Sequence, residues 1–450
     1  MSRVRCGDIT QEEGVDELDR YLLILIAREY KNREAQWLGD KIRDYMGYWG
    51  PSVVKDVLLY GPDVLPRSPS KPLSKHFKGC GMVFMLDSWK DDAIRANFRA
   101  IPHYIGGHNH LDQCSFSIFH KGGLALDSGI YDDYSSSHRL NYYCRTIAHN
   151  TILVEDPNED FSLYGVGYVA DGGQAWKQPP RSYPYNIQDL TETDLFDLKG
   201  IVAYEDNDLY TYSLGNGAPA YSAAKMSVFY RHFVWLKSLS GWNHPVVVVF
   251  DEVESKNSAF KKTYLLHTQN QPTVNGSLIS ASAEGGLLYQ RTVFPASAKI
   301  TLVGGSGKEY WVDGRNYAPT RGAKDGEEPG SWRLEVCPST ARTHDEFLHV
   351  LYATEAGAGA PPSVRAIDAS SMKGFESQNV VMLFAVKLGS ITSVSYSTGG
   401  GRQNILFGLT AGRKYDVYVD EKLAQTALAS DEGSTTFSTS AAAQIRVVRQ

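Results

Sequence analysis

The 450-residue chain is predicted to be mainly β: a large antiparallel β-sandwich, preceded by a short helical hairpin and followed by a small C-terminal β domain. Three observations point there. From about residue 79 the sequence breaks into short β-branched and aromatic runs, such as GMVFMLDSW, CSFSIFH, NTILVED, SVFYRHFVWLK and HPVVVVFDEV, separated by Gly, Pro, Asn and Asp. No alternation of strands with helices follows, which argues against a parallel doubly wound sheet. Helical periodicity is confined to the opening segment.

In chain order, residues 10 to 46 read as two helices. Thr10 and Glu13 match a capping box, and Leu18, Tyr21, Leu22, Leu25 and Ile26 form an apolar face. Asn32 is placed to cap the second helix, whose Ala35, Leu38, Ile42 and Tyr45 repeat the pattern up to Gly47. Two helices cannot bury that surface alone, so the hairpin (1–48) is expected either to end a larger helical domain or to pack against the β region. Prolines 51, 62, 66, 69 and 72 mark 49–78 as an extended, turn-rich linker. The central sandwich is expected over 79–370 and the small C-terminal β domain over 371–450. Within the sandwich, GRNYAPTRGAKDGEEPGSW (314–332) reads as a long surface loop, a kind of segment that is often functional.

Composition narrows the function. A formal net charge of -6 without long single-sign runs proposes neither nucleic acid nor a membrane surface as partner. The five cysteines, Cys6, Cys80, Cys114, Cys144 and Cys337, are odd in number and lack a CxxC, so they read as buried thiols. No apolar run approaches the ~20 residues of a membrane span. The first residues, MSRVRCGDITQEEG, lack the apolar core of a signal peptide. Either the chain is cytoplasmic or its true beginning lies upstream.

Three constellations can carry chemistry. In YIGGHNHLDQCSF, His108, Asn109, His110 and Asp112 follow the Gly106–Gly107 hinge. Read as a metal signature of the HxHxDH kind, the segment lacks its last histidine, because Gln113 stands there. Otherwise His108 and Asn109 meet a substrate while His110 and Asp112 brace the loop, or the whole segment is a satisfied polar turn. In NYYCRTIAHNTILV, Tyr142 and Tyr143 precede Arg145, His149 and Asn150. A phenol with an ordinary pKa near ~10 needs such a cation or donor to exchange protons at neutral pH. Adjacent side chains point different ways, so one tyrosine at most is expected to face a cleft. The third set, His232, Asp251 and His267, falls on three consecutive expected strands. Two histidines and a carboxylate suit zinc or a similar divalent ion, or else a hydrogen-bonded interior trio.

Taken together, GGHNHLDQCSFSIFHKGGLALDSGIYDDY and NYYCRTIAHNTILVEDP resemble the heparinase II/III-like polysaccharide lyases, closest to the heparinase II-like branch. The likeness continues through YRHFVWLK, VVVFDEV, YLLH, GSWRLEVCPS and EFLHVLYA, over roughly residues 80 to 450. It implies a helical toroid, of which only the terminal hairpin is present here, then the sandwich and the C-terminal domain. It also implies Tyr142, seven positions before His149, as catalytic tyrosine, with His108, Asn109 and Tyr230 beside it. Arg145, His149, Tyr143 and His110 become substrate-binding. A divalent metal, zinc with manganese or calcium as alternatives, is implied at His232, Asp251 and His267. So are an anionic polysaccharide substrate, a homodimer and a periplasmic or secreted setting.

The expected activity is β-elimination on a uronic-acid polymer, a glycosaminoglycan such as heparan sulfate, chondroitin or hyaluronan, with alginate as alternative. One rival is a truncated, inactive carbohydrate-binding module. The other is a metallohydrolase using His108, His110 and Asp112.

Overall fold

The computed structural model describes residues 17–46, 50–104, 108–160, 170–175, 186–192, 196–237, 241–324 and 327–450. Helices α1 (Glu17–Tyr30) and α2 (Arg33–Met46) form the hairpin. Asn32 caps α2, its Oδ1 accepting the Glu34 and Ala35 amides at 3.0 and 2.9 Å. The buried stripe of α1 is Tyr21, Ile24 and Ala27, whereas Leu22 faces solvent. The reason is that the described neighbours cover a narrow side: Ala27 meets Ala35 and Val64, and Gly39 lies against Ile24. The capping box at Thr10 and Glu13 and the cap at Gly47 lie outside the described residues. Part of the expected linker is helical, α3 (Gly50–Leu59). Pro51 stands in its first turn, where a missing N–H leaves no hydrogen bond unmade.

The β region is layered. A five-stranded antiparallel sheet runs in sequence order through Ser74–Phe77, Met82–Leu86, Arg95–Arg99, Ser115–His120 and Gly122–Ala125. An eight-stranded sheet is ordered Thr273–Asn275, Leu278–Ala283, Gly286–Phe294, His344–Glu355, Val246–Ser255, Met226–Leu236, Tyr210–Asn216 and Gly200–Asp206. A four-stranded sheet joins Lys299–Gly304, Trp332–Cys337, Lys261–Thr268 and Ile152–Glu155. From Arg365 onward a five-stranded and a four-stranded sheet pack on each other around Met372, Leu383, Leu406, Tyr415 and Val447.

The eight-stranded sheet is buried on both faces, which explains the unbroken apolar run Val246–Phe250. One face, with Phe233, Trp235, Val247 and Val249, packs against Phe98, Phe116 and Ile118 of the first sheet and against Tyr264 and Leu334. The other, with Val234, Leu236, Val248 and Phe250, meets Phe375, Met382, Phe384 and Phe407 of the C-terminal sheets. Because side chains alternate along a strand, this assignment fixes every neighbour. Arg231 and Asp251 belong to the first face, and Tyr230 and His232 to the second.

Candidate active site

Two segments meet beside the first sheet. One is His108–Asp112, leading into strand Ser115–His120. The other is a wide helical turn, Arg139–Tyr143, followed by a tight turn, Thr146–Ala148, and His149. The backbone joins them: the Leu111 amide donates to the Cys144 carbonyl at 2.9 Å, and Thr146 Oγ1 donates to the Leu111 carbonyl at 2.8 Å.

Where they touch, aromatic and ionisable groups gather. The His110 ring lies 4.7 Å from that of Tyr143 and 5.1 Å from that of His149, centroid to centroid. His149 Nδ1 is 2.9 Å from Asp127 Oδ1, and Asp112 is paired with Arg99 at 3.1 Å. Burial works against the imidazolium of His149, but the Asp127 charge and hydrogen bond, aided by Asp112, outweigh it and raise its pKa. Burial likewise opposes ionisation of Asp127, yet His149 holds its carboxyl below the ordinary range. The two form an ion pair next to His110, its imidazole buried and its carboxylate half-buried.

This cluster is deep: Tyr143 is 1% exposed, His110 3% and His149 0%. His108 is exposed and Asn109 half-buried, so these two carry the segment to the surface. The hinge Gly106–Gly107 lies outside the described residues. His108 packs edge-on to Tyr134 at 5.4 Å and Tyr131 at 6.4 Å, and the Arg139 guanidinium sits 4.0 Å over the Tyr134 ring. Tyr134 is 52% exposed, an aromatic ring at the lip of the cluster.

The two expected tyrosines part company. Tyr142 is fully buried among Ile147, Leu153, Leu265 and Tyr310, and its hydroxyl donates to Ser128 Oγ at 2.8 Å. Burial raises its pKa, with Arg333 and Ser128 opposing. The His138 ring neighbours both tyrosines, 5.8 Å from Tyr142 and 5.9 Å from Tyr143. Its Nδ1–H donates to the Tyr317 carbonyl at 2.5 Å and Nε2 accepts the Ile130 amide at 3.3 Å. His138 is therefore buried and fully tied into this layer, 1% exposed. Arg145 is also internal, 2.9 Å from Asp171 in a fully buried ion pair. Tyr230 lies across the large sheet from this cluster, half-buried against the C-terminal layer opposite Glu252 and Asn216.

The 314–332 loop walls the site. Arg321 Nη2 donates to the Tyr131 carbonyl at 2.9 Å, and the Thr320 amide to Asp132 at 2.8 Å. The Gly129 amide donates to the Pro329 carbonyl at 2.7 Å, and Ser128 Oγ to that of Gly330 at 2.6 Å. Gly129 has φ +92°, and a Cβ there would lie 2.7 Å from the Tyr143 ring, so only glycine lets the turn approach this closely. The acidic part of the loop is engaged too: Glu327 pairs with Arg321 and Glu328 accepts the Gly123 amide.

Sequence reasoning missed Asp127 and the Tyr131, Tyr134 and Arg139 lip. The signal was a carboxylate and two aromatics around a Ser-Gly turn, DSGIYDDY, short of partners until His108 and His149 arrive from elsewhere.

The profile described as heparinase II/III-like, C-terminal, matches residues 69–314, more than half of the chain. The chain belongs to the heparinase II/III-like family. A heparan sulfate lyase from Pedobacter heparinus superposes with a TM-score of 0.54 at 12% identity, over 86% of this chain and 50% of that one. A heparinase III gene product gives 0.53 at 13%, over 84% and 48%. At such identities the likeness shows the fold, and the chain spans about half the length of these solved structures. No curated protein matches the sequence.

The divalent metal implied for this heparinase II/III-like chain does not fit the residues expected to hold it. Asp251 and His232 point to opposite faces of the sheet, since Asp251 stands opposite Arg231 and Phe250 opposite His232. Both Asp251 oxygens accept from Arg231 at 2.7 Å. His232 Nδ1 is 2.9 Å from the Tyr212 hydroxyl, among Phe250 and Phe384. His267 is held through Asn150, 3.2 Å from its Nδ1. Among the described residues no three His, Cys, Asp or Glu side chains are placed to share an ion, which also leaves His108, His110 and Asp112 without the arrangement a metallohydrolase needs.

Proposed function

We propose that the chain is the β-rich part of a polysaccharide lyase that cleaves a uronic-acid polymer, a glycosaminoglycan in preference to alginate, by β-elimination. The observation that carries this reading is the Tyr143–His110–His149–Asp127 cluster beneath His108 and Asn109. In this reaction a base removes the C5 proton, the electron pair becomes the C4=C5 double bond, and the C4–O4 bond breaks. The departing O4 takes up a proton. The C5 proton becomes acidic enough only when the neighbouring carboxylate is neutralised.

Asn109 and His108 are the groups for that carboxylate, because they reach the surface. Tyr143 takes the proton-transfer part expected of Tyr142, since its ring lies against His110, which itself neighbours His149, whereas Tyr142 faces the interior. The Asp127 carboxylate, 2.9 Å from His149 Nδ1, holds that imidazole in its charged form beside His110, which in turn lies against Tyr143. Tyr134, backed by Arg139, offers a flat face to a sugar ring at the lip. No step in this scheme passes through a metal.

A second reading, a carbohydrate-binding module without activity, is favoured by the near-complete burial of Tyr143, His110 and His149. Incubation with heparan sulfate, chondroitin sulfate, hyaluronan and alginate, each followed by ultraviolet absorbance, separates the two. A rise with one polymer supports the lyase and names its substrate class. Retention of the polymers without any new double bond supports the module.

A further inference from the structure

Arg231 is fully buried in the middle of strand Met226–Leu236 and makes four hydrogen bonds. Its Nε and Nη2 donate to the two oxygens of Asp251, 2.7 Å each, directly across the sheet. Its Nη1 reaches out of the sheet and donates to two backbone carbonyls, those of Cys114 and Asn150, both at 2.6 Å. The rings of Phe116, Phe229 and Tyr264 surround the guanidinium at 5.6 to 5.7 Å. Those two carbonyls are not arbitrary. Cys114 ends the segment that carries His108, His110 and Asp112, and Asn150 directly follows His149.

Cys114 also has φ +59°, a left-handed conformation that a residue other than glycine adopts only against steric cost. That turn swings the site segment into strand Ser115–His120, and its carbonyl is one that Arg231 holds. A buried guanidinium and carboxylate are desolvated at considerable expense, and the pair is tolerable only when its remaining donors are satisfied. Here they are satisfied by the ends of the two site segments. The chemistry, one cation gathering a carboxylate and two carbonyl oxygens, is that of a structural metal ion, supplied by the chain itself.

We propose that Arg231 is a positioning residue, an internal cation that clamps the His108–Cys114 and His149–Asn150 segments to Asp251 in place of a metal. The consequence for catalysis rests on the lyase reading; the clamp does not, and its readouts are independent of any substrate.

Removing Arg231 alone strands a buried carboxylate and can unfold the chain, so the test uses the paired variant Arg231→Met with Asp251→Leu, and Arg231→Lys beside it. Hydrogen exchange by mass spectrometry is followed in peptides covering 110–116 and 146–152 and, as reference, in strand Val380–Ala385. The paired variant is expected to fold and to lose about tenfold or more of the protection in both site peptides, with the reference strand unchanged. Arg231→Lys is expected to behave likewise, because an ammonium lacks the planar fork that serves both Asp251 oxygens and the carbonyls. Wild-type protein is expected to carry no stoichiometric metal and to melt at the same temperature with and without chelator. Unchanged protection of the two peptides in the folded paired variant would overturn the proposal. So would a stoichiometric metal in the wild type that Asp251→Asn removes. Where a polymer is cleaved, the paired variant should lower kcat with KM little changed, whereas inactivity of the wild type on every polymer would sink the lyase reading and leave the clamp standing.

Discussion

His149 and Asp127 each owe their charge to the other, which gives the pair a pH signature. The His149 pKa is raised above its ordinary 6.5, so its contribution to stability is complete below 6.5 and is lost as pH rises through the folded value. The Asp127 pKa is lowered from its ordinary 3.8, so its contribution is complete above 3.8 and is lost as pH falls through the folded value. Between those limits the pair is intact. Asp127→Asn should therefore abolish this pH-dependent part of stability, measured by urea denaturation across the range, and should shift the activity profile as His149 loses its charge. An unchanged profile would mean the pair plays no part. At the lip, Tyr134→Ala should raise KM roughly 2- to 12-fold with kcat preserved, the equivalent of about 0.5–1.5 kcal/mol of aromatic contact.

At the scale of elements, the site depends on how turns are tied to strands. Asn150 is the tightest knot: its Oδ1 accepts the His267 amide at 2.7 Å, and its Nδ2 donates to the Phe116 and Leu126 carbonyls at 2.8 and 3.2 Å. Asn150→Ala would leave three buried backbone groups unpaired and should destabilise the fold by about 2–4 kcal/mol, read as a drop in denaturation midpoint. This element also shows what the sequence could reveal. The strands were legible because period-two and continuous apolar runs report burial directly, and the order of the HNHLD and AHNT motifs placed both site segments. Which tyrosine faces the cluster was not legible. Tyr142 and Tyr143 lie on a wide helical turn rather than a strand, and both stack near the His138 ring, which is itself held by the Tyr317 carbonyl of a loop distant in sequence. The face of Asp251 was hidden for a related reason: strand order alone does not reveal that Arg231, and not His232, stands opposite it.

Across the whole molecule, burial of the central sheet on both faces traps histidines in the neutral state. Burial lowers the pKa of His232 from 6.5 to about 3 and that of His349 well below 6.5. A group that must stay neutral in the folded chain costs stability as pH falls below 6.5, by up to about 1.4 kcal/mol per pH unit for each such histidine. The protein should therefore lose stability steadily below about pH 6, and His349→Gln should flatten that slope; a slope unaltered by the substitution would point to other groups.

The proposed elimination over Tyr143, His110 and His149 is tested by the rate of double-bond formation on a cleaved polymer for wild type, Tyr143→Phe and Tyr142→Phe, all shown to be folded. Loss of the phenol proton should cost Tyr143→Phe about 10²- to 10⁴-fold in kcat, while Tyr142→Phe should stay within about tenfold of wild type. Full activity in Tyr143→Phe, with the loss appearing in Tyr142→Phe instead, would contradict the account.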